Sequence, residues 1–187
     1  MIYPQKLNSK KGDMILKIFL LISIIVAIML IIINNLTTPE IPWAMLSNAG
    51  IIYIWITVLY SINKNVNIAG HVLVQTIAIS LLVAFIDYQL GFNGWSLSIA
   101  IPIIIIVSNI TMLVLTIVSH KKYIKYAIYQ LGIVILSMLP VIFISENIVQ
   151  EKTLSIIASG ISILNLILTL ILCAKDVKEA VIRKFHM

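Results

Sequence analysis

The sequence predicts an all-α polytopic membrane protein with six transmembrane helices. Three observations carry this. Of 187 residues, 61% are hydrophobic and only 11% charged, where a soluble domain carries roughly 25%. Six stretches long enough to cross the ~30 Å hydrocarbon layer are nearly free of charge. Twelve of the 13 Lys and Arg residues fall in alternate gaps between those stretches. The mean hydropathy is +1.11, so too little polar surface exists to clothe a water-soluble globule. A single transmembrane domain over residues 1–187 is expected, with no separate soluble domain.

The first span is expected over residues 14–34. Lys10, Lys11 and Lys17 precede its apolar run, Ile18 to Ile33, as in a signal peptide. The apolar run is longer than an h-region and no A-x-A site follows, so a retained first span is expected. The second span, 43–62, begins after Pro42, where a helix start tolerates proline. The third covers 66–87 and the fourth 95–119. Between them Gly91-Phe92-Asn93-Gly94 reads as a turn, because Asn-Gly adopts positive φ easily. The fifth covers 123–145 and the sixth 153–174. A cytoplasmic tail, 175–187, follows; Val177, Val181 and Phe185 share one face, as in a continued helix.

Charge in the gaps predicts the threading. The N-terminal segment holds Lys6, Lys10, Lys11 and Lys17, the gap after the second span Lys64, and the gap after the fourth His120, Lys121 and Lys122, with Lys125 just beyond. The tail holds Lys175, Lys178, Arg183 and Lys184. The other gaps carry Glu40, Asp87 at one edge, and Glu146, Glu151 and Lys152. Positive charge stays in the cytoplasm during insertion, so both termini are expected inside. Trp43, Tyr88, Phe92 and Trp95 gather at the opposite boundary, where amphipathic rings prefer to sit. Lys outnumbers Arg twelve to one and there are 42 isoleucines. That bias points to an AT-rich genome and the cytoplasmic membrane of a low-GC Gram-positive bacterium.

Four amides fall near mid-span: Gln75, Asn109, Gln130 and Asn165. Ser80, Ser108, Thr111, Ser137, Ser159, Ser162 and Thr169 add hydroxyls. An amide facing hydrocarbon is costly, so these groups are expected to face inward. They form either interhelical glue or a polar cavity for a solute. Asp87 closes the third span; it either caps a helix end in water or stands at the outer rim of a crevice. Pro102 and Pro140 each remove a backbone hydrogen bond and are expected to kink their helices. Small residues in the sixth span (Ser155, Ala158, Ser159, Gly160 and Ser162) allow a close helix–helix contact. Tyr123, Tyr126 and Tyr129 read as an interfacial ladder.

Catalytic signals are absent from the sequence. It has no His-Glu-x-x-His, no Gly-x-Ser-x-Gly, no phosphate-cradling glycine loop and no paired carboxylates within a span. His71, His120, Cys173 and His186 match no metal-ligand spacing, and one cysteine forms no internal disulfide. No basic stripe with interleaved aromatics speaks for nucleic acid. No enzyme, cofactor, metal or nucleic-acid partner is expected.

Two stretches carry a family resemblance: Asp87-Tyr88-Gln89-Leu90-Gly91-Phe92-Asn93-Gly94-Trp95-Ser96-Leu97, and Arg183-Lys184-Phe185-His186. They resemble a bacterial family of unknown function whose members often join a zinc ribbon to a six-span membrane part. The resemblance covers about residues 45–187 and implies that fold without assigning an activity. This chain lacks the ribbon cysteines. Two expectations for function follow from the residues. The first is a non-enzymatic protein that binds another membrane-inserted molecule through its helix faces, most concretely an immunity factor against a membrane-targeting toxin or peptide. The second is a small solute transporter or channel component with a polar midplane site. Membrane lipids are partners in both.

Overall fold

The computed structural model describes residues 9–62, 67–118, 123–145 and 152–185. Every regular element among them is helical: α1 (Ser9–Thr37), α2 (Trp43–Ile62), α3 (Ile68–Gln89), a π-helical turn (Ser96–Ala100), α4 (Ile101–Val118), α5 (Tyr123–Ser145) and α6 (Lys152–Phe185). Among the described residues five stretches are long and apolar enough to cross a membrane: Gly12–Thr37, Trp43–Ile62, Ile68–Gln89, Ser96–Val118 and Lys152–Ile171. Within α5 the described apolar stretch is shorter, Ile128–Phe143. Lys64, His120, Lys121, Lys122, Glu146, Glu151 and His186 lie outside the described residues, as do the side chains of Tyr123, Tyr126, Cys173 and the tail.

The chain divides into two compact units, Met1–Ile54 and Trp55–Met187. In the first, one asparagine sets the α1–α2 turn. Asn34 Nδ2 donates to the carbonyls of Thr38 at 2.7 Å and Ile41 at 2.9 Å. Its Oδ1 accepts the Ala44 N–H at 2.9 Å. The first N–H groups of a helix have no partner within it, so Asn34 caps α2 from the preceding helix. Asn48 Nδ2 also donates to the Ala27 carbonyl at 3.3 Å, tying α2 back to α1.

In the second unit α6 packs on α5 and α4, and α3 packs on α4 and α5. Small residues set these approaches. A methyl group on Gly132 would come within 3.0 Å of Leu73. On α6, Ser155, Ala158, Ser159 and Ser162 are buried, which places the small-residue face inside this unit.

The distribution of polarity is inverted relative to a soluble protein. Among the described residues the buried apolar cluster comprises Ala69, Ile101, Ile105, Met112, Ile133 and Ala158. Buried alongside are Thr76, Ser80, Asp87, Ser96, Ser98, Ser108, Asn109, Thr116, Gln130, Ser137 and Asn165. Ile, Leu and Val dominate the exposed surface from Met14 to Ile171. Water would penalise that exterior by about 25 cal/mol per Å2. Lipid tails would not, because they are as apolar as leucine.

Pro102 explains the π turn. It has no N–H to offer the Ser98 carbonyl, and its ring crowds that carbonyl in an ordinary α-helix. The chain widens just before it: the Ile101 N–H bonds to the Ser96 carbonyl, five residues back. The irregularity expected at Pro102 is thus a π turn on its N-terminal side. Pro140 lies inside α5, fully buried.

Helix α6 is 34 residues long, roughly 50 Å at 1.5 Å per residue. That exceeds the hydrocarbon layer. The helix continues beyond the apolar stretch to Phe185, so most of the tail from residue 175 is helical.

Candidate functional site: a buried amide hub

Three of the four mid-span amides meet. Asn109 of α4 is the centre, 1% exposed. Its Nδ2 donates to the Ile105 carbonyl at 2.9 Å and to Ser162 Oγ at 2.6 Å. Its Oδ1 accepts from Gln130 Nε2 at 2.6 Å and from Asn165 Nδ2 at 3.4 Å. Asn165 Nδ2 lies closer to the Asn109 backbone carbonyl, at 2.8 Å. A primary amide has two N–H donors and an oxygen with two lone pairs. All four positions of Asn109 are therefore engaged. Ser162 completes the set by donating to the Ala158 carbonyl at 2.8 Å. The hub joins α4, α5 and α6.

Gln75 stands apart from it. Its Nε2 donates to Thr57 Oγ1 at 2.9 Å, linking α3 to α2. The neighbouring Thr76 makes the inward contact instead, 2.6 Å from Ser108 Oγ. Successive residues on an α-helix point about 100° apart, so Gln75 and Thr76 serve different neighbours. Each hydroxyl of the Thr76–Ser108 pair also lies within hydrogen-bonding distance of its own i−4 carbonyl, Val72 at 2.6 Å and Ile104 at 2.8 Å. A hydroxyl has one proton. One of the pair must therefore donate across the interface while the other donates to its backbone.

Asp87 is fully buried, at 0% exposure. It is neither a rim acid open to a crevice nor a cap standing in water. Its Oδ1 accepts the Asn93 N–H at 3.1 Å. Its Oδ2 accepts the Ser96 N–H at 3.2 Å and the Ser96 hydroxyl at 2.6 Å. Its backbone carbonyl takes the Phe92 N–H at 2.9 Å. The side chain thus ties the end of α3 to the start of the π turn. Gly91 (φ 97°), Phe92 (φ 48°) and Gly94 (φ 75°) all adopt positive φ there. Glycine does this without strain, whereas a bulky L-residue does not.

The other hydroxyls divide. Thr111 is exposed and folds back on the Val107 carbonyl at 2.9 Å. Ser137, Ser159 and Thr169 bond to carbonyls of their own helices. Ser80 Oγ, Ser155 Oγ and Gln130 Oε1 are buried without a hydrogen-bond partner among the described residues. Sequence reasoning missed Asn34, Thr57, Thr76 and Ser96. Thr76 was signalled only by adjacency to Gln75, and Ser96 only by lying just across the glycine turn from Asp87. Among the described residues no group of three His, Cys, Asp or Glu side chains could hold a metal.

Polar side chains bonded to one another inside, aliphatic ones outside, and helices of spanning length define a polytopic helical membrane protein. The chain belongs to a family of unknown function, DUF6320, whose model matches residues 3–187. The match takes in the first span, which lay outside the resemblance seen in the sequence. No curated protein and no solved structure matches.

Proposed function

We propose that this protein is a non-enzymatic membrane protein that acts through its lipid-facing helix surfaces on another membrane-inserted molecule. The most concrete form is an immunity or self-protection factor against a membrane-targeting toxin or peptide. The supporting observation is the saturation of Asn109. Its four hydrogen-bonding positions are occupied by Ile105, Ser162, Gln130 and Asn165, so the hub has the character of a fastening. What the helices offer outward is an apolar surface suited to another helix in the bilayer. Residence in a bacterial cytoplasmic membrane, with both termini inside, is part of the proposal; the distribution of Lys and Arg supports it. The test is killing of a sensitive host by a membrane-targeting toxin or peptide, with and without the protein. Protection supports the reading, and equal killing overturns it.

A second reading, a solute transporter or channel component, is favoured by one atom. Gln130 Oε1 is buried beside the hub without a partner among the described residues, as an acceptor awaiting a donor-bearing solute would be. Alanine at both Asn109 and Gln130 should abolish flux in proteoliposomes if this holds. Under the first reading the same pair should lower stability only.

A further inference from the structure

The end of the second unit opposite the Asp87 turn gathers three aromatic side chains with polar tips. Tyr60 near the end of α2, His71 near the start of α3, and Tyr129 of α5 converge around Gly70. The Tyr60 and His71 rings meet edge to face at 4.9 Å, 87° apart. A methyl group on Gly70 would lie 2.7 Å from the Tyr60 hydroxyl and 3.2 Å from the Tyr129 ring. All three aromatic residues are half-buried, while Ala69 and Gly70 beneath them are buried. Among the described residues no hydrogen bond engages the Tyr60 hydroxyl, the Tyr129 hydroxyl or the His71 ring.

We propose that this cluster binds the phosphate of an anionic phospholipid headgroup. Two phenols and an imidazole N–H are donors, and phosphate oxygens are strong acceptors. Asn67, the N-cap of α3, makes no side-chain capping bond, so the partial positive charge of that helix end adds to the donors. In the sequence Lys64 lies between Tyr60 and His71, and Lys121, Lys122 and Lys125 precede Tyr129. Depth selects a lipid. Tyr60 and His71 lie within about one turn of their spans' ends, where headgroups meet acyl chains. Gly70 has a definite part: any side chain there would displace the Tyr60 hydroxyl from the cluster. Headgroup binding here is independent of whether the protein answers a toxin or moves a solute.

The test is lipid retention by the full-length detergent-purified protein, read by native mass spectrometry against phosphatidylglycerol and phosphatidylcholine. Wild type should keep the anionic lipid selectively. The double variant Tyr60→Phe/Tyr129→Phe preserves both rings and removes both donors. It should lower phosphatidylglycerol retention by more than about tenfold, since one lost hydrogen bond to a charged group already accounts for that much, and leave the lipid-free unfolding midpoint unchanged. Gly70→Ala, which keeps every donor but displaces one, should give a smaller loss. Tyr88→Phe at the other end should change nothing. Unchanged retention in the double variant, or equal retention of the two lipids by wild type, would overturn the site. Inorganic phosphate that stabilised the lipid-free protein as well as phosphatidylglycerol does would overturn the lipid assignment.

Discussion

Gln130 on α5 donates its side-chain N–H to Asn109 Oδ1 on α4 at 2.6 Å, between two residues each 1% exposed. The donor has no water to return to, and Asn109 also engages Asn165 and Ser162. Asn109→Ala should therefore destabilise the protein by about 2 kcal/mol, the cost of leaving buried donors unpaired. Gln75→Ala removes the bond to Thr57 at a half-buried site outside the hub and should cost less, about 0.6 kcal/mol for that bond. Reversible unfolding in mixed micelles would measure both. Equal costs would show that the hub is no more than a set of ordinary contacts.

A double-mutant cycle isolates the pair itself. If Gln130 acts through Asn109, the Gln130→Ala and Asn109→Ala effects should be strongly sub-additive, with a coupling energy of roughly 1 kcal/mol. The pair Gln75→Ala and Asn109→Ala should add within about 0.5 kcal/mol, since Gln75 bonds to Thr57 instead.

Asp87→Asn tests the turn clamp. The carboxylate has only acceptors, and it faces the Asn93 N–H, the Ser96 N–H and the Ser96 hydroxyl. An amide would put its NH2 against at least one of those donors whichever way it is turned. The variant should lose about 1–3 kcal/mol. Backbone hydrogen exchange at Asn93 and Ser96 should accelerate before that of α3. An unchanged unfolding midpoint would mean that the clamp contributes nothing.

Two glycines separate backbone strain from space. A Cβ on Gly91 or on Gly160 would meet nothing within 4 Å. Gly91 has φ 97°, whereas Gly160 is an exposed position inside α6. Gly91→Ala should destabilise by about 1–2 kcal/mol, and Gly160→Ala should stabilise by about 0.5–1 kcal/mol. Opposite signs in the same unfolding assay are the expected outcome. A stabilising Gly91→Ala would contradict the turn's backbone.

These residues also show what a sequence can disclose. The starts of α2 at Trp43 and of α5 at Tyr123 are legible because Pro42 and the Lys121–Lys122 pair punctuate the apolar pattern locally. The turn after α3 is legible from Gly91 and Gly94. That Asp87 closes on Ser96 is not, because it depends on how the chain folds back across the glycines. Mid-span amides are visible as polar residues in apolar runs, and their inward direction follows from the cost of facing lipid. Which amide meets which does not follow. Asn109, Gln130 and Asn165 converge, while Gln75 is turned toward α2, through the axial register and rotation of packed helices. Those are set by the sum of many small contacts, Gly132 against Leu73 among them. The π turn had a local cause in Pro102, but proline alone does not choose between a kink and a wider turn.

The threading has its own test. Twelve of 13 Lys and Arg residues fall on one set of gaps and termini, and Lys152 alone falls on the other. Cationic segments resist translocation, so an even number of spans should return the chain end to the side where it began. A reporter active only outside the cytoplasm should be silent when fused after Met187 and active when fused after Glu40; a cytoplasm-only reporter should give the converse. Moving charge should move the result. Replacing Lys175, Lys178, Arg183 and Lys184 with Gln while adding lysines around Glu40 should yield mixed orientations. Activity on the same side at Glu40 and Met187 would mean an even number of crossings after Glu40 where five are expected, and the six-span threading would fail with it.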